Sequence, residues 1–305
     1  MLGHMTDAVV RVENLRKTYH GGFEALRGVS FDIHAGETFA LLGPNGAGKS
    51  TTIEILEGYR ERTGGTVEVL GTDPHHGGLD WKARLGIVLQ NTGEAPVATV
   101  REMLAHFAGF YPHPRGVDEV IDAVGLTAKA GTSVRKLSGG QRRRVDVALG
   151  IIGNPDLLFL DEPTTGFDPE ARRQFWDLIR GLQAGGTTII LTTHYLDEAA
   201  ELSSRAAIVV GGRLAALGPI DEIGGPGARV PLVRWHEGGT VREERTETPG
   251  EFVARLVSAG DAEPAHLEVV RPSLEDIYLG FLAAEEKAAA SVAGGAGASD
   301  RGVTA

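Results

Sequence analysis

Nine consecutive residues, Gly43 to Thr51 (GPNGAGKST), limit what this 305-residue chain can fold into more than any other stretch. They fit G-x-x-x-x-G-K-[ST], with Gly43, Gly48, Lys49 and Ser50 at the fixed places. The apolar run Thr38-Phe39-Ala40-Leu41-Leu42 ahead of them has the length of a buried strand, and Ile53, Leu56 and Glu57 behind them begin a helical pattern. Strand, glycine loop and helix in that order make an anion cradle. The glycines let successive backbone N–H groups turn inward around a polyphosphate, and a helix starting near Lys49 aims its positive dipole end at the same anion. In that reading Lys49 reaches the β and γ phosphates and Ser50 ligates Mg²⁺. A plain glycine-rich turn has the same composition, but the flanking strand and helix favour nucleotide binding.

No stretch approaches the ~18 consecutive apolar residues of a membrane span, so action at a membrane requires another chain to do the spanning. Met1 to Asp7 lacks the basic start and apolar block of a signal peptide. Gly3-His4-Met5 reads as a tag remnant or an early start codon, within an extension over residues 1–8. Cysteine is absent, which excludes disulfides, thiolate catalysis and Cys-ligated zinc. The net charge of -11 is uneven: Asp221 to Ala305 holds 15 acidic and 8 basic residues, against 26 and 22 before it. Neither part has the basic footprint of a nucleic-acid binder, so no nucleic acid is expected as a partner.

From Val9 to Ile33 short apolar pieces alternate as in half-buried strands. Tyr19 lies between them, beside Gly21-Gly22; it reads either as a cross-strand aromatic or as a ring stacked on a purine base. Further strands are expected over Thr66–Leu70 and Leu85–Leu89, the latter ending at Gln90. A polar amide there can face a phosphate site or simply cap the strand. Between Asn91 and Gly153 the pattern turns helical, with Val100, Leu104, Phe107 and Ala108 on one face and Val117, Val120, Ile121 and Val124 on another. This insert includes Leu137-Ser138-Gly139-Gly140-Gln141, where Ser138 is a good N-cap and the two glycines leave N–H groups open to an anion. Of the arginines that follow, Arg142 to Arg144, at least two read as a solvated helix face. Leu157-Leu158-Phe159-Leu160-Asp161-Glu162 describes a buried strand that delivers two carboxylates to its end, Asp161 for a Mg²⁺ shell and Glu162 as a general base toward water. Asp168-Pro169 opens a helix, and a strand over Thr187–Thr193 ends at His194, a residue more often structural than catalytic.

The order GPNGAGKST, Gln90, LSGGQ, LLFLDEP, Asp168 and His194 resembles the nucleotide-binding subunit of an ATP-binding cassette (ABC) transporter, over about Val9 to Leu217. The resemblance implies an α/β P-loop cassette with a mixed sheet core, an antiparallel β subdomain and a helical insert over about 91–153. It implies an Mg-dependent ATPase, with ATP held by Gly43, Pro44, Asn45, Gly46, Ala47, Gly48, Lys49, Ser50 and Thr51 and with Tyr19 stacked on adenine. Ser50, Asp161 and Gln90 are implied around the metal. Glu162 is the implied base, His194 the contact to the γ-phosphate and Gln90 a reporter on the attacking water. Ser138, Gly139, Gly140 and Gln141 are implied to close over ATP held by a second subunit, and Asp168 to couple the two sites of a homodimer or paired cassette. Phe167 departs from the usual leucine.

QRRRVDVALGIIGNPDLLFLDEPTTGFDPEARR, THYLDEA and RPSLEDIYLGF are similar to the drug-resistance exporter ATPases of the daunorubicin type. That implies a separate multi-span permease docked near Gln90, a peripheral place on the cytoplasmic face of the membrane, and export of a hydrophobic small molecule. The alternative is a soluble ABC ATPase acting on ribosomes or chromosomes, usually marked by two cassettes or a long coiled coil. From Gly224 a Gly-Gly-Pro-Gly linker leads to a small α+β module over 224–287, read as stabilising or regulating the dimer. Residues 288–305, rich in Gly, Ala and Ser, read as disordered.

Overall fold

The computed structural model describes residues 8–89, 97–259 and 264–295. The chain divides into two units, Met1–Leu217 and Gly218–Ala305. In chain order the elements of the first are β1 (Ala8–Thr18), β2 (Glu24–His34), β3 (Thr38–Leu42), α1 (Lys49–Leu56), β4 (Gly64–Val69), α2 (Leu79–Lys82), β5 (Leu85–Val88), α3 (Val100–Ala108) and α4 (Val117–Ala123). Then come α5 (Gly139–Ile151), β6 (Leu157–Asp161), α6 (Pro169–Ala184), β7 (Thr188–Thr192), α7 (Leu196–Leu202), β8 (Arg205–Val210) and β9 (Arg213–Pro219).

A six-stranded sheet runs in the order β5-β6-β7-β3-β8-β9, and its first four neighbouring pairs are parallel. Only Gly211 and Gly212 separate β8 from β9, too short a link for a parallel crossover, so the sheet is mixed. Its central strands read as unbroken apolar runs because both faces are covered. Leu157 and Phe159 join Phe39, Leu41 and Ile190 in a core with α1 and the antiparallel sheet β2-β1-β4. Leu158, Leu160, Ile189 and Leu191 point the other way, into a second core with the helices.

Thr99 starts α3 through a capping box: its hydroxyl accepts from the Glu102 N–H at 3.2 Å, and the Glu102 carboxylate accepts from the Thr99 N–H at 2.9 Å. Val100 and Leu104 are buried as their spacing predicts. Phe107, in the last turn, is instead 37% exposed and packs edge-on against Phe110. Gln90 lies outside the described residues.

The second unit holds a three-stranded antiparallel sheet, built from β10 (Leu232–Glu237), β11 (Thr240–Arg245) and, after α8 (Pro249–Ala259), β12 (Ala265–Val270), in the order β11-β10-β12. Trp235 packs on Phe252 of α8 with ring centroids 5.6 Å apart. Ser273 caps α9 (Leu274–Gly295): its hydroxyl accepts from the Asp276 N–H at 3.2 Å, and its own N–H donates to the Asp276 carboxylate at 2.7 Å. α9 runs on to Gly295, into the Gly/Ala/Ser-rich stretch that begins at residue 288. Alanine lowers compositional complexity, but it is also the strongest helix former. Among the described residues no helix is long and apolar enough to cross a membrane.

Phe159, 1% exposed at the middle of β6, tests how far the site rests on this core. Phe159→Ala is expected to destabilise the first unit by about 3–5 kcal/mol, through lost transfer energy and a residual cavity. Urea unfolding of both proteins checks the difference.

Candidate active site

The carboxyl ends of β3, β7 and β6 lie side by side, paired Leu41↔Thr192 and Asp161↔Thr192. Open α/β sheets gather ligands at this end, and a cleft of about 690 Å³ opens there. Its walls include Pro44, Asn45, Gly46, Gly48, Lys49, Ser50 and Thr51 from the glycine loop and α1, Asp161 at the end of β6 with Glu162 just beyond it, His194 after β7, and Tyr19. Gly43 and Ala47 are buried beside them. A Cβ on Gly43 would lie 2.2 Å from the Val209 carbonyl oxygen. Gly48, at φ +107°, would place one 2.6 Å from Leu26 Cδ2 and 2.7 Å from the Ala25 oxygen. Both positions therefore demand glycine on packing grounds.

Lys49 is buried, and its ammonium donates to the carbonyls of Gly43 at 2.6 Å and Pro44 at 3.1 Å. Burial pulls its pKa down, while the carboxylates of Glu162 and Asp161 across the cleft pull it back up. The Thr192 hydroxyl donates to Asp161 Oδ1, fixing that carboxylate from the neighbouring strand. Glu162 adopts φ +44°, a left-handed conformation that costs a side-chain-bearing residue about 1–2 kcal/mol. Its N–H donates to the Thr192 carbonyl at 2.9 Å, and its Oε2 lies 3.3 Å from His194 Nδ1. Strain of this kind persists only where the surroundings over-determine it.

At the other end of the cleft the Tyr19 hydroxyl lies 3.1 Å from Thr51 Oγ1. The Tyr19 ring is roughly parallel to that of Phe23, 6.4 Å away, and the cations of Arg60 and Lys17 stand 5.1 and 5.4 Å from its centroid. Phe23 is 60% exposed and lines the cleft. The Ser50 hydroxyl and the Asp161 carboxylate share this cleft and are hard oxygen donors, a set that fits Mg²⁺, which takes one or two protein ligands beside phosphates and water.

Ser138, Gly140, Gln141 and Asp168 line a different hollow of about 390 Å³, which shares no residue with the first; Gly139 lies exposed beside them. Ser138 and Gln141 form a capping box, with the Gln141 amide oxygen accepting from the Ser138 N–H at 3.1 Å and the Ser138 hydroxyl accepting from the Gln141 N–H at 3.3 Å. The N–H groups of Gly139 and Gly140, at the first two helical positions, have no partner within the helix. Asp168 Oδ1 accepts from the Ala171 N–H at 2.7 Å and caps α6. Phe167 packs edge-on against Phe175.

Sequence reasoning did not single out Phe23, Thr192 or Arg143. Arg143 is the plainest miss, since the helical spacing Arg143, Val147, Ile151 already places it on the inward side of α5, where all three are buried. Arg142 is exposed and Arg144 half-buried.

The ABC transporter family pattern matches residues 26–165. The chain is 35% identical to the Nod factor export ATP-binding protein I of Paraburkholderia xenovorans (strain LB400), covering 90% of this chain and 97% of that protein. It is 39% identical to the daunorubicin/doxorubicin resistance ATP-binding protein DrrA of Streptomyces peucetius, over 75% of this chain and 71% of that one. Among solved structures it shares its fold with the ATP-binding cassette MJ0796, a dimer in a post-hydrolysis state bound to ADP and Pi. The TM-score is 0.62 at 24% identity, covering 69% of this chain and 98% of that one.

Glu57 closes α1, and burial pushes its carboxyl up to about 8, with Asp161 and then Glu54 adding repulsion. The folded chain thus keeps a proton that the unfolded chain releases near its ordinary value of 4.5. Between those values the folded state binds more protons, so stability falls as the pH rises through the window and levels off above it. Glu57→Gln is never charged and removes that slope. Urea unfolding midpoints at about pH 5 and about pH 9 check this, with the wild type losing more stability than the variant across the interval.

Proposed function

The chain belongs to the ABC transporter family of ATP-binding subunits and is an ATPase, and from this we propose that it powers export of a small molecule through a separate membrane permease. The observation that carries the reading is the convergence of Lys49, Ser50, Asp161, Glu162 and His194 on one cleft, with Ser138 and Gly140 in another. A cleft without those signature residues is completed by a second chain, head to tail, so that two ATP molecules lie between two subunits. The MJ0796 cassette, similar in fold, is itself dimeric. Export is supported by the likeness to a Nod factor export protein, and a drug or other small molecule as cargo by the likeness to a daunorubicin/doxorubicin resistance protein. In this reading the chain sits at the cytoplasmic face of the membrane and the permease does the spanning; among the described residues of this chain no helix is long and apolar enough to cross.

Each residue then has a task. Backbone N–H groups of the glycine loop, other than that of Ala47, which donates to the Pro44 carbonyl at 3.1 Å, would meet the phosphates, and Lys49 would leave its own loop's carbonyls for the β and γ oxygens. The adenine stacks on Tyr19, beside Phe23. Ser50 and Asp161 would hold Mg²⁺, and the ion would supply charge neutralisation for the phosphates. Glu162 takes the proton of the water that attacks the γ-phosphorus, while the ADP β-oxygen leaves on the opposite side. His194 orients that carboxylate and contacts the γ-phosphate. The N–H groups of Gly139 and Gly140, with the Ser138 hydroxyl, bind the γ-phosphate of the partner's ATP; Asp168 holds α6 beside that contact.

Glu162→Gln keeps the shape and removes the base. Its turnover is expected to fall by about 10³-fold with nucleotide affinity unchanged within about threefold, measured by phosphate release and by fluorescent-nucleotide titration. Retained turnover sinks the assignment of the base. Used as an ATP-trapped bait on solubilised native membranes, the same variant is expected to recover a multi-span membrane protein in stoichiometric amount. Ribosomal or chromosomal proteins in its place would favour a soluble mechanical ATPase. Ser138→Arg is expected to bind ATP yet fail to dimerise in light scattering, because its side chain fills the space of the partner's phosphate.

A further inference from the structure

Arg143 is the middle of three consecutive arginines, yet it is only 8% exposed. Its guanidinium sits under the end of β6. Nε donates to the Pro163 carbonyl at 2.9 Å, and Nη2 to those of Asp161 at 2.8 Å and Glu162 at 3.4 Å. Nη1 donates to the Leu89 carbonyl, where β5 has just ended. Asp146, one turn further along α5, approaches Nη1 to 3.8 Å. Burial pulls the guanidinium down from its ordinary range, and Asp146, Asp161 and Glu198 oppose that shift; an arginine stays charged regardless. A planar fork with five donors can hold four carbonyls on two separate segments, and an ammonium cannot match that geometry.

We propose that Arg143 is a positioning residue that ties α5 to the backbone of Leu89 and of Asp161 to Pro163, so that the placement of α5 sets the placement of Asp161 and Glu162. The proposal rests on the function proposed above, in which the Ser138–Gly140 end of α5 closes over the partner's ATP. Arg143 stands five residues beyond Ser138 on the same rigid helix. Engagement of the partner's nucleotide is thereby felt at this chain's own base, and each site registers whether the other is filled. The strained backbone of Glu162 makes the connection sharp. Held by the Thr192 carbonyl on one side and Arg143 on the other, it has no relaxed position to drift into without losing one of them.

The test compares wild type, Arg143→Lys and Arg143→Gln in the full chain, by amide hydrogen exchange without nucleotide and by steady-state turnover with MgATP. Exchange over residues 158–167 is expected to rise at least about tenfold in both variants, with residues 43–51 unchanged; local loosening of this kind precedes global unfolding. Turnover is expected to fall by about 10²-fold in Arg143→Gln and less in Arg143→Lys, at nucleotide affinity within about threefold, as expected when reacting groups are displaced rather than removed. Should Arg143→Gln fail to fold, Arg143→Lys decides alone. Unchanged exchange over 158–167 overturns the proposal, as does a parallel loss of turnover and affinity. A wild type that does not turn over ATP would sink the functional reading, while the exchange measurement would still decide whether Arg143 holds the loop.

Discussion

A parallel strand pair brings two carboxyl ends to one edge, and here three such strands, β6, β7 and β3, are hydrogen-bonded in succession. The register leaves little freedom. Because Thr192 stands opposite both Leu41 and Asp161, the glycine loop after β3, the carboxylates at the end of β6 and the histidine after β7 have to emerge within one cleft. The side chains on each strand alternate between two cores, so a slip by one residue would turn Phe159 out of one core and Asp161 away from the cleft. Packing in the interior and chemistry at the rim are fixed by the same hydrogen bonds.

The electrostatics of the rim run against folding and are held by that frame. Glu54, Glu57, Asp161 and Glu162 lie near enough to perturb one another or Lys49, and Lys49 is itself desolvated among carbonyls. Such a cluster is unfavourable without a compensating ligand and becomes favourable when an anion and a cation enter together. The nucleotide-free chain is therefore expected to be the less stable form, for reasons located in α1 and the end of β6 rather than in the cores.

Much of this was legible in the sequence. The strand-loop-helix order around Lys49, the apolar run into Asp161 and Glu162, and the serine cap at Ser138 each tie a local pattern to one structure, and the family resemblance joined them. Other parts left no local trace. All six residues of β11 are exposed, so no apolar alternation marks it as a strand. Thr192 matters through a neighbour thirty-one positions away in the chain, which only the sheet register reveals. Arg143 was hidden by its company, since three arginines in a row suggest solvent, and the helical period that contradicts this was masked by their charge. Phe107 erred in the opposite direction: its spacing points to the core, but it falls in the last turn of a helix only nine residues long.

The left-handed backbone at Glu162 has a consequence for how such a chain can change. Glycine or asparagine would sit there with less strain, so selection for thermal robustness alone would push position 162 away from glutamate. A descendant released from turnover, kept only for nucleotide binding, is expected to drift to those residues first. On the role proposed for Glu162, the identity of this one position, read beside its torsion angle, marks whether a lineage with this frame still hydrolyses what it binds.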